Sequence, residues 1–260
     1  MLKDITKLDF AYLETFTNRI DTSWGAFFCN EEHPNYYDAN HAFIAEAPAN
    51  PGLAIDEVIR FYQEKNLMPR FYLYQIDKLG PFIEELKTRG FGYESFISPV
   101  QLWNNEVIQL PEDPNVTVEV AGPQQYEEAL SIKCSIEEFG GRETIEKAFK
   151  TQFEHPAFTH YLLRYNGTAC AAACLFEHGN QARLESVATL SSYRGKGLVG
   201  HLIRFIQQET VNKGIQQLWV LPINEQIEKV YGKYGFDTVL KMETGHAFRG
   251  GRSILEIRGS

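Results

Sequence analysis

Positive charge is scarce in this chain of 260 residues: 25 lysines and arginines face 34 aspartates and glutamates, a formal net charge of −9. That balance excludes nucleic-acid binding by bulk electrostatics, which needs an excess of basic side chains over the phosphates, and it mildly favours cationic amine substrates. No apolar run is long enough to cross a bilayer, and Met1-Leu2-Lys3-Asp4 leads into mixed polar sequence, so a cytoplasmic protein without membrane association is expected. Cysteine is sparse too. Of Cys29, Cys134, Cys170 and Cys174 only the last two are close; in a strand they share one face with Ala172 and read as buried reduced thiols, not as a disulfide framework. His155, His160, His178, His201 and His246 lack metal-like spacing, so they read as surface or packing residues and no metal is expected.

What is present is a 43% hydrophobic chain, enough for a substantial core. Leu184 to Leu190 reads as a strand and His201 to Val211 as a helix, and between them lies Tyr193-Arg194-Gly195-Lys196-Gly197-Leu198-Val199-Gly200. Glycines there let backbone N–H groups close on a pyrophosphate, while the helix dipole and the side chains of Arg194 and Lys196 offset its charge. A nucleotide-like cofactor is expected. Gly195, Gly197 and Gly200 also fit the dinucleotide fingerprint, with Glu225 loosely placed as a ribose ligand. That fold opens its domain with the turn and then needs more strands than the roughly 60 residues that follow can supply.

The chain also repeats itself. Ile59-Arg60-Phe61 and Ile203-Arg204-Phe205 each open the progression helix, turn, aromatic strand, helix, Gly-Phe, ending at Gly90-Phe91 and Gly235-Phe236. Two tandem copies of one α/β unit are expected, divided at Leu110-Pro111-Glu112-Asp113-Pro114-Asn115, where prolines and acids resist regular structure. Aligned on the triplets, Asn50, Pro51, Leu53 and Asp56 stand at Arg194, Gly195, Gly197 and Gly200. Proline lacks an N–H, leucine adds bulk and aspartate adds negative charge, so the first copy is expected to have no cofactor site. In the second copy, Val116 to Ala121, Tyr161 to Tyr165, Ala169 to Phe176 and Arg183 to Leu190 read as strands, with hairpin turns at Asn166-Gly167 and Gly179-Asn180. Gln124 to Phe139 and Glu143 to Phe153 read as helices broken at Gly140-Gly141.

The strand, glycine loop and helix resemble motif A of the GCN5-related N-acetyltransferases. Leu218-Trp219-Val220-Leu221, Asn224 and Val230-Tyr231-Gly232-Lys233-Tyr234-Gly235-Phe236 resemble that family's following strand, asparagine and helix ending in Y-x-x-x-G-F. The resemblance implies an α/β (α+β) fold of two tandem GNAT-like mixed-sheet domains flanked by helices: residues 1–111 degenerate, residues 112–260 catalytic. It implies acetyl-CoA as cofactor, bound by backbone of Val187 and Thr189 on the splayed strand, by the loop from Arg194 through Gly195, Lys196, Gly197, Leu198, Val199 and Gly200, and by Asn224 and Lys233. It further implies Tyr231 as the general acid for the departing thiolate, in preference to Tyr234. Glu185 is the candidate base; strand alternation puts it on one face with Val187 and Thr189. The expected activity is acetyl transfer to a primary amine of a small molecule or peptide by a monomer or homodimer, the amine being drawn by acids such as Asp38, Glu137 and Glu138. Val199 stands where the family prefers glycine or alanine, so a non-catalytic acyl-CoA-binding regulatory protein is the alternative.

Overall fold

The computed structural model describes residues 2–136 and 142–258; the expected helix break at Gly140-Gly141 and the acids Glu137 and Glu138 lie outside them. In the first half the elements are α1 (Leu2–Leu13), β1 (Asn18–Asp21), β2 (Ala26–Cys29), β3 (His41–Ile44), α2 (Pro51–Glu64), β4 (Arg70–Tyr74), α3 (Gly80–Thr88) and β5 (Gly92–Trp103). The second half adds β6 (Val116–Val120), α4 (Tyr126–Cys134), α5 (Arg142–Glu154), β7 (Phe158–Tyr165), β8 (Thr168–His178), β9 (Gln181–Thr189), α6 (Leu198–Asn212), β10 (Gln217–Val220), α7 (Glu225–Gly232), β11 (Phe236–Phe248) and α8 (Ile254–Arg258). The fold is mixed α/β, as the motifs imply. No helix among the described residues is long and apolar enough to cross a membrane.

Contacts divide the chain into two compact units, one of residues 9–98 with the chain from 241 onward, the other of the first eight residues with 99–240. This differs from the boundary expected at 111/112, and the reason is the path of two strands. In the first unit β1, β2 and β3 form an antiparallel meander, β3 runs parallel to β4, and β4 then pairs antiparallel with the end of β11, Thr244↔Tyr74 to Phe248↔Arg70. In the second unit β6, β7, β8 and β9 form the meander, β9 runs parallel to β10, and β10 pairs antiparallel with β5 through Trp219↔Leu102 and Val220↔Gln101. From β1 and from β7 onward the two copies therefore share one succession of three strands, helix, strand, helix and strand, but each contributes its last strand to the other's sheet.

The core of the first unit is built by Ala54, Ile55, Val58 and Tyr62 of α2 and Phe82, Ile83 and Leu86 of α3, against Phe71 and Leu73 of β4. These apolar positions recur at helical spacing and fill one stripe of each helix. In the second unit Leu198, Leu202, Ile203 and Ile206 of α6 cover one face of the sheet, packing with Tyr161, Leu163, Leu184, Leu218 and Val220. Leu130, Ile132, Ile145 and Phe149 of α4 and α5 cover the other face, over Leu162, Ala172 and Ala188. The β7–β8 turn is the type I′ hairpin that Asn-Gly favours, with φ of +51° at Asn166 and +78° at Gly167.

All four thiols are free. Cys170 and Cys174 do not share a face, however, because Cys170 is the extra residue of a bulge against Leu163 and Arg164. Cys170 joins the α6-face core while Ala172, two residues before Cys174, joins the α4 face.

In the first unit Arg70 is buried with its guanidinium carbon 3.3 Å from the Tyr37 ring centroid and Nη1 2.9 Å from Nε2 of His246. His246 Nδ1 lies 2.6 Å from Oε1 of Glu94, and Glu94 accepts hydrogen bonds from the N–H groups of Ile254 and Leu255 at the start of α8. Burial is the main cause that lowers His246 to about 4, His41 to about 3 and His160 to about 4. A histidine held below its unfolded value binds its proton first in the unfolded chain, so stability is complete above about pH 6.5 and is lost as pH falls toward 4. Melting temperatures are expected to fall steadily over that window, and His246→Gln is expected to flatten the slope.

Candidate functional site

The glycine loop has the geometry expected of an anion cradle. Gly195 and Gly197 have φ of +77° and +74°, and a Cβ on either would meet no heavy atom within 4 Å, so their outer side is open. Gly197 is the N-cap of α6, and the N–H groups of Leu198 and Val199 precede the first intrahelical acceptors. The Leu198 side chain is buried in the core and Val199 packs against it, so both offer backbone only. Gly200 differs. Its N–H donates to the carbonyl of Gly197 at 3.0 Å, and a Cβ there would come within 2.9 Å of the Tyr234 ring and 3.2 Å of Leu110. Its smallness serves helix packing rather than phosphate approach. Gly200→Val is expected to cost about 1–3 kcal/mol by overpacking, read as a lower melting temperature. Lys196 holds its ammonium over the rings of Tyr165 and Tyr193, at 5.5 and 5.1 Å. Arg194 Nε donates to the Thr189 carbonyl at 3.0 Å, fastening the loop to the end of β9.

Beside the loop, β9 and β10 part. Their parallel pairing runs from Gln181↔Gln217 to Arg183↔Trp219, with no pair beyond it among the described residues, although β9 continues to Thr189. Leu190 N–H donates to Cys170 O of β8; because backbone groups alternate along a strand, those of Thr189 and Val187 point the other way, into the opening. The expectation that Glu185 shares a face with Val187 and Thr189 is overturned. Ser186, with φ of +53°, forms a bulge: Glu185 opposes Cys174 and Ala188 opposes Ala172, leaving Ser186 and Val187 against Ala173 alone. Val187 thus lies with the α6-face core, and Thr189 opposes Ala171 of that same core. Glu185 lies on the opposite, α4-covered face.

Tyr231 of α7 is 7% exposed, within the α6-face core, its ring edge-on to Phe236 at 5.6 Å. Burial, and then the charge of Glu185, push its phenol well above the ordinary tyrosine range, so the phenol keeps its proton. The neighbouring Tyr234 instead lays its ring on Gly200 and accepts from Gln207 Nε2 through its carbonyl. Asn224 uses Oδ1 to cap α7, accepting from Ile227 N–H at 2.9 Å, so that oxygen has a structural task. Lys233 is exposed at the C-cap of α7.

Sequence reasoning missed a polar stripe beneath α4 and α5. Arg183, 5% exposed, pairs with Glu185; Lys133 of α4 donates to Gln152 Oε1 of α5 at 3.1 Å. His160 and Cys174 complete the stripe, and burial lifts the Cys174 thiol to about 12. These residues are spread over β7, β8, β9, α4 and α5, so no local spacing announces them. Among the described residues no three His, Cys, Asp or Glu side chains are grouped to hold a metal.

The first copy lacks such a cradle. At the positions aligned with Gly195 to Gly197, α2 already runs as helix from Pro51, capped by Asn50, which accepts from Leu53 N–H. Arg89 fills the space there: a Cβ on Gly52 would meet its Nη2 at 2.9 Å, and its charge is taken by Glu85 and Asp56.

Comparison with known proteins agrees with this geometry. Residues 126–236 match the model of the acetyltransferase (GNAT) family. A search of curated protein sequences returned no significant match. Among solved structures, a GCN5-related N-acetyltransferase from Kribbella flavida is 17% identical, with TM-score 0.71 over 95% of each chain. A GCN5-related N-acetyltransferase-like protein from Streptococcus suis is 16% identical, with TM-score 0.57 over 94% of this chain and 93% of that one. A tandem GNAT protein from the clavulanic acid biosynthesis pathway is 10% identical, with TM-score 0.54 over 82% of this chain and 76% of that one. Residues 126–236 thus match the acetyltransferase (GNAT) family model, and along nearly its whole length the chain has the fold of the Kribbella flavida protein.

Proposed function

We propose that the chain is an acetyl-CoA-dependent N-acetyltransferase acting on a primary amine of a small molecule or peptide in a ternary complex. The observation that supports this reading is the parting of β9 from β10 beside an open glycine loop. Backbone groups of Val187 and Thr189 bind the pantetheine arm. The N–H groups from Gly195 to Val199, with Arg194 and Lys196, hold the pyrophosphate, and Lys233 is placed for an outer phosphate. Asn224 serves by fixing the start of α7 and so the position of Tyr231.

The amine nitrogen attacks the thioester carbonyl; a C–N bond forms and the C–S bond breaks. Glu185 takes the proton lost by the amine, and Tyr231 gives its phenolic proton to the departing thiolate. Arg183, paired with Glu185, holds that carboxylate in place. Calorimetry with acetyl-CoA, together with release of free thiol across a panel of amines, tests the proposal. Binding followed by amine-dependent thiol release is expected. Binding with no turnover of any amine makes the chain an acyl-CoA-binding regulatory protein, and absence of binding ends both readings.

A further inference from the structure

Gly200, Arg204 and Gln207 follow one another at helical spacing, so they form one stripe of α6. Each is engaged by chain outside the helix. Gly200 lies against Leu110 and the ring of Tyr234, and Arg204 Nη1 donates to the Leu110 carbonyl at 3.0 Å. Gln207, fully buried, joins both neighbours at once: its Oε1 accepts from the Ile108 N–H at 3.0 Å and its Nε2 donates to the Tyr234 carbonyl at 2.7 Å. The segment that holds Ile108 also reaches the turn after α7 directly, Asn104 N–H donating to the Gly235 carbonyl at 2.9 Å. Tyr234 N–H in turn donates to the Tyr231 carbonyl at 2.8 Å. Gln207 is thus linked through two hydrogen bonds to the backbone of Tyr231, and it sits on the helix whose N-terminus forms the glycine cradle. A buried amide engaged at both ends holds its partners at a fixed separation, because leaving a buried polar group unpaired is costly.

We infer that Gln207 is a positioning residue for acetyl transfer. By tying Ile108 and Tyr234 to the middle of α6, it sets the separation between the N-terminus of that helix, which holds the pyrophosphate, and the phenol of Tyr231, which protonates the departing thiolate. This rests on the acetyltransferase reading and adds to it a residue that acts through α7. Reacting groups lose rate steeply when displaced, a shift of about 1 Å costing on the order of 100-fold. Cofactor affinity comes from the backbone N–H groups of the loop, so it is insensitive to that separation.

The test compares the full chain with Gln207→Met and Gln207→Glu, at a temperature where all three are folded, by calorimetry with acetyl-CoA and by thiol release with an amine that the parent acetylates. Gln207→Met keeps the length and bulk of the side chain and loses both hydrogen bonds. It is expected to lower kcat roughly 10- to 100-fold while acetyl-CoA affinity stays within about twofold of the parent. Gln207→Glu supplies a rescue. Its protonated carboxyl can accept from Ile108 and donate to Tyr234 as the amide does, whereas the ionised form has no proton to donate and sets a negative charge against a carbonyl. Burial raises a carboxyl's pKa, so kcat relative to the parent is expected to rise as pH falls from about 8 to about 6, with no such rise for Gln207→Met. Parent-like kcat with a lowered melting temperature in Gln207→Met makes the residue a packing residue and overturns the inference, as does a loss of acetyl-CoA affinity equal to the loss of kcat. If Gln207→Met does not fold, Gln207→Glu decides, and relative turnover that does not rise as pH falls overturns the inference. A parent that binds no acetyl-CoA, or releases thiol with no amine, ends the transferase reading and the positioning role with it, whereas an active parent with either earlier result ends the positioning role alone.

Discussion

A chain ending at Leu240 is expected to lose the folded state of its first unit. Residues from Lys241 onward belong to that unit, and Thr244 to Phe248 are the antiparallel neighbours of β4. Removing them exposes the hydrogen-bonding edge of Arg70–Tyr74 and uncovers the core at Ala247. It also strips buried Arg70 of His246 and of the carbonyls of Gly250 and Arg252. A buried charge deprived of its partners alone costs about 3–5 kcal/mol, a large part of the stability of a domain of ordinary size. Circular dichroism and amide exchange are expected to show lost protection over β3, β4 and α2. A fragment of residues 112–260 is expected to fail for the reciprocal reason, since β10 loses Gln101 and Leu102 of β5. A cooperative, native-like melt of either piece contradicts the exchange of strands.

Tyr231→Phe is expected to lower kcat roughly 10- to 1,000-fold while leaving acetyl-CoA affinity close to that of the parent. The phenyl ring retains the edge-on contact with Phe236 and the place in the core, so the change removes the proton donor and little else. Tyr234→Phe is expected to be nearly silent, because the ring of Tyr234 is used against Gly200. Thiol release under saturating amine measures the first quantity and calorimetry the second. A Tyr231→Phe protein turning over at the parent rate makes Tyr231 a packing residue and hands the proton to solvent or to Tyr234.

The sequence carried what local chemistry encodes. Alternation and Asn-Gly located the β7–β8 hairpin, the glycine loop announced itself between strand and helix, and Pro51 and Leu53 marked the first copy as lacking a cradle. Features set by distant partners were not legible. The bulge at Ser186 depends on the register of β8, and it moves Glu185 to the face opposite Val187. Gly200 looks like a phosphate glycine until Tyr234 and Leu110 are seen against it. The boundary at Leu110 to Asn115 is a true irregular segment, but the units divide elsewhere because β5 and β11 end in each other's sheets. Lys133 and Arg183 come together only in three dimensions.

The exchange of last strands sets an order on biosynthesis. A ribosome delivers β1 to β4 before the second half is made, yet the neighbour that closes β4 follows that half in the chain. Throughout translation of the second half, the aromatic strand Phe71-Tyr72-Leu73-Tyr74 has an open edge, the condition under which nascent chains pair wrongly or recruit chaperones. The second half has the opposite history, since β5 is waiting when β10 is made. The half that holds the glycine loop is therefore able to close first, and the half synthesised first is closed after it.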